Sequence, residues 1–342
     1  MSILTDNRQI VNSPEKSFDN DKIIKWSVKK KQSRIMSAKM YRTGLRDRAA
    51  RMYQCGDYIT ERINPATGEV ITDTAQLCKD RLCPICNWRL SLRRFTEMMA
   101  VLNILKEDII KYDYKVAFLT LTVKNVELPD LRKCIDTFAK AWHNMSRREI
   151  FRGVIGWSRS LEITYNKEKN SYHPHYHVIL IWEKEAYTED AGKIMQQAWK
   201  HAYKCDYNPI IDIREAYTKS DVPITDSTEA VVKAAVEAFK YSIKDKALKE
   251  IPQKDLFAFA EAIKGVRMVS YGKAIKELRK ALGFRNDDTA QPLDIPANDD
   301  NLVISVMRWN GTAYEKSSLE NLPWNIAKER LEKEIEAAEN EE

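Results

Sequence analysis

The stretch GWSRSLEITYNKEKNSYHPHYHVILIW, Gly156 to Trp182, decides the fold. Two segments of alternating side-chain character flank the polar run Asn166 to Asn170, the pattern of an antiparallel hairpin. Side chains alternate along a strand, so His173, His175 and His177 share one face with Ile179 and Ile181, while Tyr176, Val178 and Leu180 point the other way. Three of the chain's five histidines therefore fall on one face of one strand. Two imidazoles spaced by two residues reach one divalent cation from the same side. Glu162, on the neighbouring strand, is the best candidate for a third ligand, because a carboxylate beside two imidazoles suits Mn²⁺ or Mg²⁺. The role of His173 stays open between support of these ligands and contact with DNA.

Outward from the hairpin, KVAFLTLTVKN (Lys115 to Asn125) has a period of two and reads as a strand with Phe118, Thr120 and Thr122 on one side. Pro129 opens a helix whose apolar stripe is Leu131, Ile135, Phe138, Trp142 and Met145. A helix over about residues 187–202, a strand near PIIDIREAY and a helix beginning at DSTE (Asp226 to Glu229) follow. The order predicts an α+β fold with a largely antiparallel sheet flanked by helices.

The six cysteines argue for metal rather than disulfide chemistry in a protein expected in the cytoplasm. CKDRLCPIC holds Cys78, Cys83 and Cys86 at knuckle spacing, and Cys55 supplies a fourth thiolate for a structural Zn²⁺. Trp88, Arg89, Arg93 and Arg94 follow at the start of a helix, where they are suited to DNA phosphates. Between Lys22 and Arg51 there are eleven Lys or Arg and one acid, a front suited to a polyanion, whereas Glu332 to Glu342 holds six Glu and one Lys. No apolar run approaches the roughly 18 residues of a membrane span, and the first thirty residues lack a signal peptide's apolar core.

In STEAVVKAAVEAFKYSIKDK the apolar stripe is Val232, Val236, Phe239 and Ile243. At about 100° per residue Tyr241 lies roughly opposite, with Glu237 about 40° and Lys244 about 60° from it. A carboxylate able to act as base, a phenol able to act as nucleophile, and Lys240 and Lys244 able to hold phosphate form a phosphoryl-transfer set.

In this order, LTLTVKN, GWSRSLEITYN, HPHYHVIL and EAFKYSIK resemble the rolling-circle replication initiators of small bacterial plasmids, within the HUH endonuclease superfamily. The similarity is to the single-tyrosine type, with a Glu one helical turn before the Tyr. The resemblance spans about Cys55 to Tyr271, and GVRMVSYGK (Gly265 to Lys273) also resembles that group's later region. It implies a ferredoxin-like or RRM-like core around a central antiparallel sheet. It also implies a metal held by His175 and His177, and Tyr241 attack giving a 5′-phosphotyrosyl enzyme and a free 3′-OH. Glu237 is implied to activate water or assist a second transfer. Origin DNA, single-stranded or in a hairpin at the nick site, is the implied partner, with a host helicase or polymerase also expected.

The organisation this suggests is a basic, partly disordered leader (1–50), a four-cysteine DNA-binding module with its helix (51–112) and a nicking and joining domain (113–284). An acidic linker (285–301) then leads to a C-terminal hairpin, turning at Asn310-Gly311, and an acidic helix (302–342). The same chemistry serves an HUH-type transposase acting on transposon ends, and the cysteines alone would serve a non-enzymatic zinc-containing regulator.

Overall fold

A computed structural model of the chain describes residues 20–63, 70–184, 190–215, 250–285 and 303–316. Helices α1 (Asn20–Arg42) and α2 (Arg46–Gln54) come first, then strands β1 (Tyr58–Ile63) and β2 (Val70–Ala75) and the long helix α3 (Pro84–Lys111). There follow β3 (Lys115–Thr122), α4 (Leu128–Met145), β4 (Val154–Asn166), β5 (Ser171–Trp182), α5 (Ala191–Tyr203) and β6 (Ile211–Glu215). The remaining elements are α6 (Leu256–Ala262), β7 (Val269–Gly272), α7 (Lys273–Ala281), β8 (Val303–Trp309) and β9 (Tyr314–Lys316). This is an α+β fold of two antiparallel sheets flanked by helices, as the pattern of strands and helices predicts.

The larger sheet has the order β6-β3-β5-β4-β7, with antiparallel pairing throughout. One face is a buried aromatic layer. Pro129 starts α4, where its missing N–H costs nothing, and the stripe Leu131, Ile135, Phe138, Trp142 and Met145 is buried. Phe138 meets Tyr176 of β5 edge-on at 5.0 Å and Trp199 of α5 at 5.2 Å. Helix α5 stops at Lys204, whose left-handed conformation (φ 64°) ends the turn.

The opposite face is divided along its length. At one end α7 approaches so closely that a Cβ on Gly156 would lie 3.0 Å from Ile275, and Ile179 and Ile181 have no exposure. A side chain at Gly156 would press on the Ile275 side chain and backbone. The other end of that face carries the histidines.

At the N-terminal end, the basic segment from Asn20 is helical and packed, with Trp26, Met36, Met40 and even Lys30 buried. The cations masked an inward stripe. The C-terminal hairpin joins the N-terminal part of the chain: β8 pairs with β1, giving a second sheet of order β2-β1-β8-β9. Its turn is as expected, with Gly311 at φ 115° and the Asn310 Oδ1 accepting from the Thr312 and Ala313 amides, both at 2.9 Å. Pairing between segments some 240 residues apart is a tertiary event that local periodicity does not carry.

Candidate metal centres

Register puts Glu162 directly across from His175, and Ser160 across from His177, on the β4–β5 pair. On the other side of β5, Thr122 and Thr120 of β3 stand opposite the same two histidines. The Glu162 Oε2 lies 2.8 Å from His177 Nε2 and 3.2 Å from His175 Nε2. Adjacent donors about 2.1 Å from an octahedral ion sit roughly 3 Å apart, so the spacing fits a hard to borderline divalent cation. The donor set, two imidazole nitrogens and one carboxylate within 4.8 Å of one another, points the same way.

The surroundings hold the ligands in position. His175 Nδ1 is 3.1 Å from the His173 carbonyl, an acceptor only, so that nitrogen carries the proton and Nε2 is left as ligand. His173 itself sits outside the cluster, its Nδ1 2.7 Å from Asn125 Oδ1, and Asn125 in turn donates to Ser171 Oγ at 3.0 Å. Burial, with the neighbouring His175, holds the His173 imidazole below the usual histidine value. From behind the sheet, Tyr176 locks the strand between the two ligands: it is fully buried against Phe138, and the Arg159 guanidinium lies 4.4 Å from its ring centre.

A second cluster forms where α2 ends and α3 begins. The sulfurs of Cys55 and Cys86, and of Cys78 and Cys86, are 3.6 Å apart, and those of Cys83 and Cys55 are 3.5 Å apart. A disulfide is about 2.05 Å, and all four thiols are free. Four sulfurs about 2.3 Å from a tetrahedral Zn²⁺ lie roughly 3.8 Å from one another, so the cluster has nearly the size that ion requires. Burial raises the Cys78 thiol well above its usual value. Burial pushes the Cys83 thiol up as well, but its hydrogen bonds with the other three cysteines and with Ser33 hold it well below its usual value. Gly56, next to Cys55, has φ 72°, and a Cβ there would be 2.8 Å from Ile85, so the loop closes over α3 only with glycine.

The arginines expected to hold DNA are placed differently. Arg89, Arg93 and Arg94 are 6%, 7% and 5% exposed. Arg89 lies over Trp26 at 5.5 Å, and Arg93 Nε faces Glu97 at 3.6 Å, which also binds Arg279 of α7 at 2.7 Å. Because α3 is packed on several sides, these cations belong to the interior rather than to a surface open to phosphate. Helical spacing after the knuckle did not reveal that.

Glu237, Lys240, Tyr241 and Lys244 lie outside the described residues, so their placement relative to Glu162, His175 and His177 is not described. Sequence reasoning missed Lys30, Ser33 and Asp57. Lys30 Nζ reaches the carbonyls of Tyr53 at 2.7 Å and Cys55 at 2.9 Å and the Asp57 carboxylate at 2.7 Å. One signal was present: Trp26, Lys30, Ser33, Ser37 and Met40 fall on a single helical stripe. Among the described residues, no helix is long and apolar enough to cross a membrane.

The fold and these clusters define an α+β protein with two groups of side chains able to hold a metal ion, one His-His-carboxylate and one all-thiolate. Residues 70–316 match the family described as Replication protein, and the chain belongs to that family, the rolling-circle plasmid Rep proteins. It is 31% identical over 273 residues to the Protein rep of Bacillus amyloliquefaciens, covering 75% of this chain and 79% of that one. It is 32% identical over 254 residues to a Protein rep of Bacillus sp, with 69% and 81% covered. Against the Protein rep of Streptococcus pneumoniae it is 30% identical over 289 residues, with 80% and 85% covered. No solved structure matches the chain significantly.

Proposed function

We propose that this rolling-circle plasmid replication initiator acts in the cytoplasm by cutting one strand of its plasmid origin and later rejoining it, with Tyr241 as nucleophile. The observation that carries the reading is the Glu162, His175 and His177 cluster on paired strands in a member of the Replication protein family. The Tyr241 phenol oxygen bonds to the scissile phosphorus as the bond to the 3′ oxygen breaks, and the phenolic proton passes to base or solvent. A 5′-phosphotyrosyl link and a 3′-OH primer result, the latter for a host polymerase working with a helicase. Lys240 and Lys244 hold the phosphate. At termination Glu237 takes the proton of an attacking water, or of a second strand's hydroxyl. A Mn²⁺ or Mg²⁺ ion held by Glu162, His175 and His177 supplies Lewis-acid polarisation of the phosphate when bound. Zn²⁺ at Cys55, Cys78, Cys83 and Cys86 is structural in this reading. The five-stranded sheet serves as the HUH-type core.

The relatives' replication names favour this reading over a transposase. The test incubates a labelled single-stranded oligonucleotide bearing the plasmid's nick site with the protein, with and without Mn²⁺, and resolves the products on a denaturing gel. A metal-dependent covalent adduct that disappears in Tyr241→Phe is expected. DNA binding without adduct or cleavage in the wild type would favour a non-enzymatic regulator.

A further inference from the structure

Helix α1 lies outside every cysteine motif, yet it supplies the outer shell of the four-cysteine cluster. Lys30 has no exposure, and it is not buried merely as part of a salt bridge. Two of its three partners are the carbonyls of Tyr53 and Cys55, at 2.7 and 2.9 Å, where α2 ends. A helix C-terminus presents unpaired carbonyls and partial negative charge, and a cation there is favourable. The residue so held is Cys55, whose sulfur contacts those of Cys83 and Cys86. Asp57 Oδ1, at 2.7 Å, completes the lysine's set and also lies 3.4 Å from Arg34 Nη2.

One turn further along α1, Ser33 Oγ lies 3.5 Å from Cys83 Sγ and 3.1 Å from the Met52 carbonyl. It has a single proton to donate, and a charged sulfur is a stronger acceptor than a neutral carbonyl. A turn beyond that, Ser37 Oγ donates to the Ala49 carbonyl at 2.7 Å. The polar stripe of α1 is thus committed to the segment that delivers Cys55 and to one of the sulfurs.

Resting on the reading of these cysteines as a metal site, we propose that Lys30 and Ser33 are its positioning residues. Lys30 fixes the backbone at Cys55 and sets a buried positive charge beside a cluster that stays net negative when four thiolates surround a divalent ion. Ser33 stabilises the Cys83 thiolate. Metal loading and the seating of α1 are then one coupled event, and the basic N-terminal helix belongs to the metal module.

The experiment compares the full-length wild type with Ser33→Ala, Ser33→Thr and Lys30→Met. Zinc per chain is measured by elemental analysis, zinc affinity by competition with a chromophoric chelator, and thiolate coordination by the Co²⁺ absorption spectrum. Melting temperature is read with and without zinc. One zinc per chain is expected in the wild type, with affinity lowered at least about tenfold in Ser33→Ala and Lys30→Met, the scale of residues that orient metal ligands. Ser33→Thr should recover most of the loss. Hydrogen exchange in α1 should rise when zinc is stripped from the wild type.

Unchanged zinc affinity, with melting temperatures lowered equally in the zinc-loaded and zinc-free forms, would overturn the proposal and leave Lys30 and Ser33 as packing residues only. If Lys30→Met does not fold, the Ser33 pair decides alone. A wild type that binds no zinc and gives no thiolate-to-cobalt spectrum overturns the metal-site reading itself, which separates the two failures.

Discussion

Replacing Phe138 by Ala should show how far the metal cluster depends on the aromatic layer behind the sheet. Phe138 has no exposure, and the rings of Tyr176, Trp199 and Tyr203 surround it edge-on at 5.0, 5.2 and 5.4 Å. Truncating a buried Phe to Ala costs about 3–5 kcal/mol. Edge-to-face partners add to what area burial alone supplies, so the upper end, about 4–5 kcal/mol, is expected here. With a urea dependence near 3 kcal/mol per M, the unfolding midpoint should fall by about 1.5 M. Phe138→Leu keeps most of the volume and should cost about 1 kcal/mol. Tyr176 stands between His175 and His177, so Mn²⁺ binding followed by calorimetry should weaken in Phe138→Ala and hold in Phe138→Leu. A midpoint shift below about 0.5 M for the Ala variant, or undiminished Mn²⁺ affinity in it, would refute the claim that this layer holds the ligand strand.

Further outcomes follow from the same contacts. Glu162→Ala and His175→Ala should each leave the protein folded by circular dichroism while lowering Mn²⁺ affinity at least about tenfold in calorimetry, since each removes one donor from the cluster; affinity equal to wild type would exclude that site. Glu97→Ala leaves Arg279 buried without the partner it meets at 2.7 Å, and denaturant melts should show a loss of about 3–5 kcal/mol. By contrast Arg93→Ala, at a buried position, should leave the salt dependence of oligonucleotide binding unchanged; a slope reduced by about one would restore Arg93 as a phosphate contact. Tyr314→Phe removes the buried hydrogen bond to the Gly56 carbonyl at 2.6 Å, and a loss of about 1–3 kcal/mol in thermal unfolding is expected.

By itself the sequence determined what depends on neighbours a few residues apart. The alternation in SLEITY and HPHYHVILIW specified two strands and the face their histidines share, because side chains in a strand must point to opposite sides in turn. The 3.6-residue stripe of Leu131, Ile135, Phe138, Trp142 and Met145 specified α4 and its buried side. The grouping of Glu162, His175 and His177, and of the four cysteines, was legible too, since spacing limits which groups reach a common point. Tertiary structure decided the rest. Arg89, Arg93 and Arg94 carry charge that reads as surface, but α3 is packed on several sides and Glu97 stabilises the inward cations. Lys30 reads as part of a solvated basic run, yet the carbonyls at the end of α2 and the Asp57 carboxylate satisfy its ammonium inside the fold. Strand β8 joined β1 because an open edge of backbone donors and acceptors pairs with whichever strand the fold brings to it. Charge and periodicity are local properties of the chain, whereas the partner that makes burial of a charge or an edge favourable arrives from far along it.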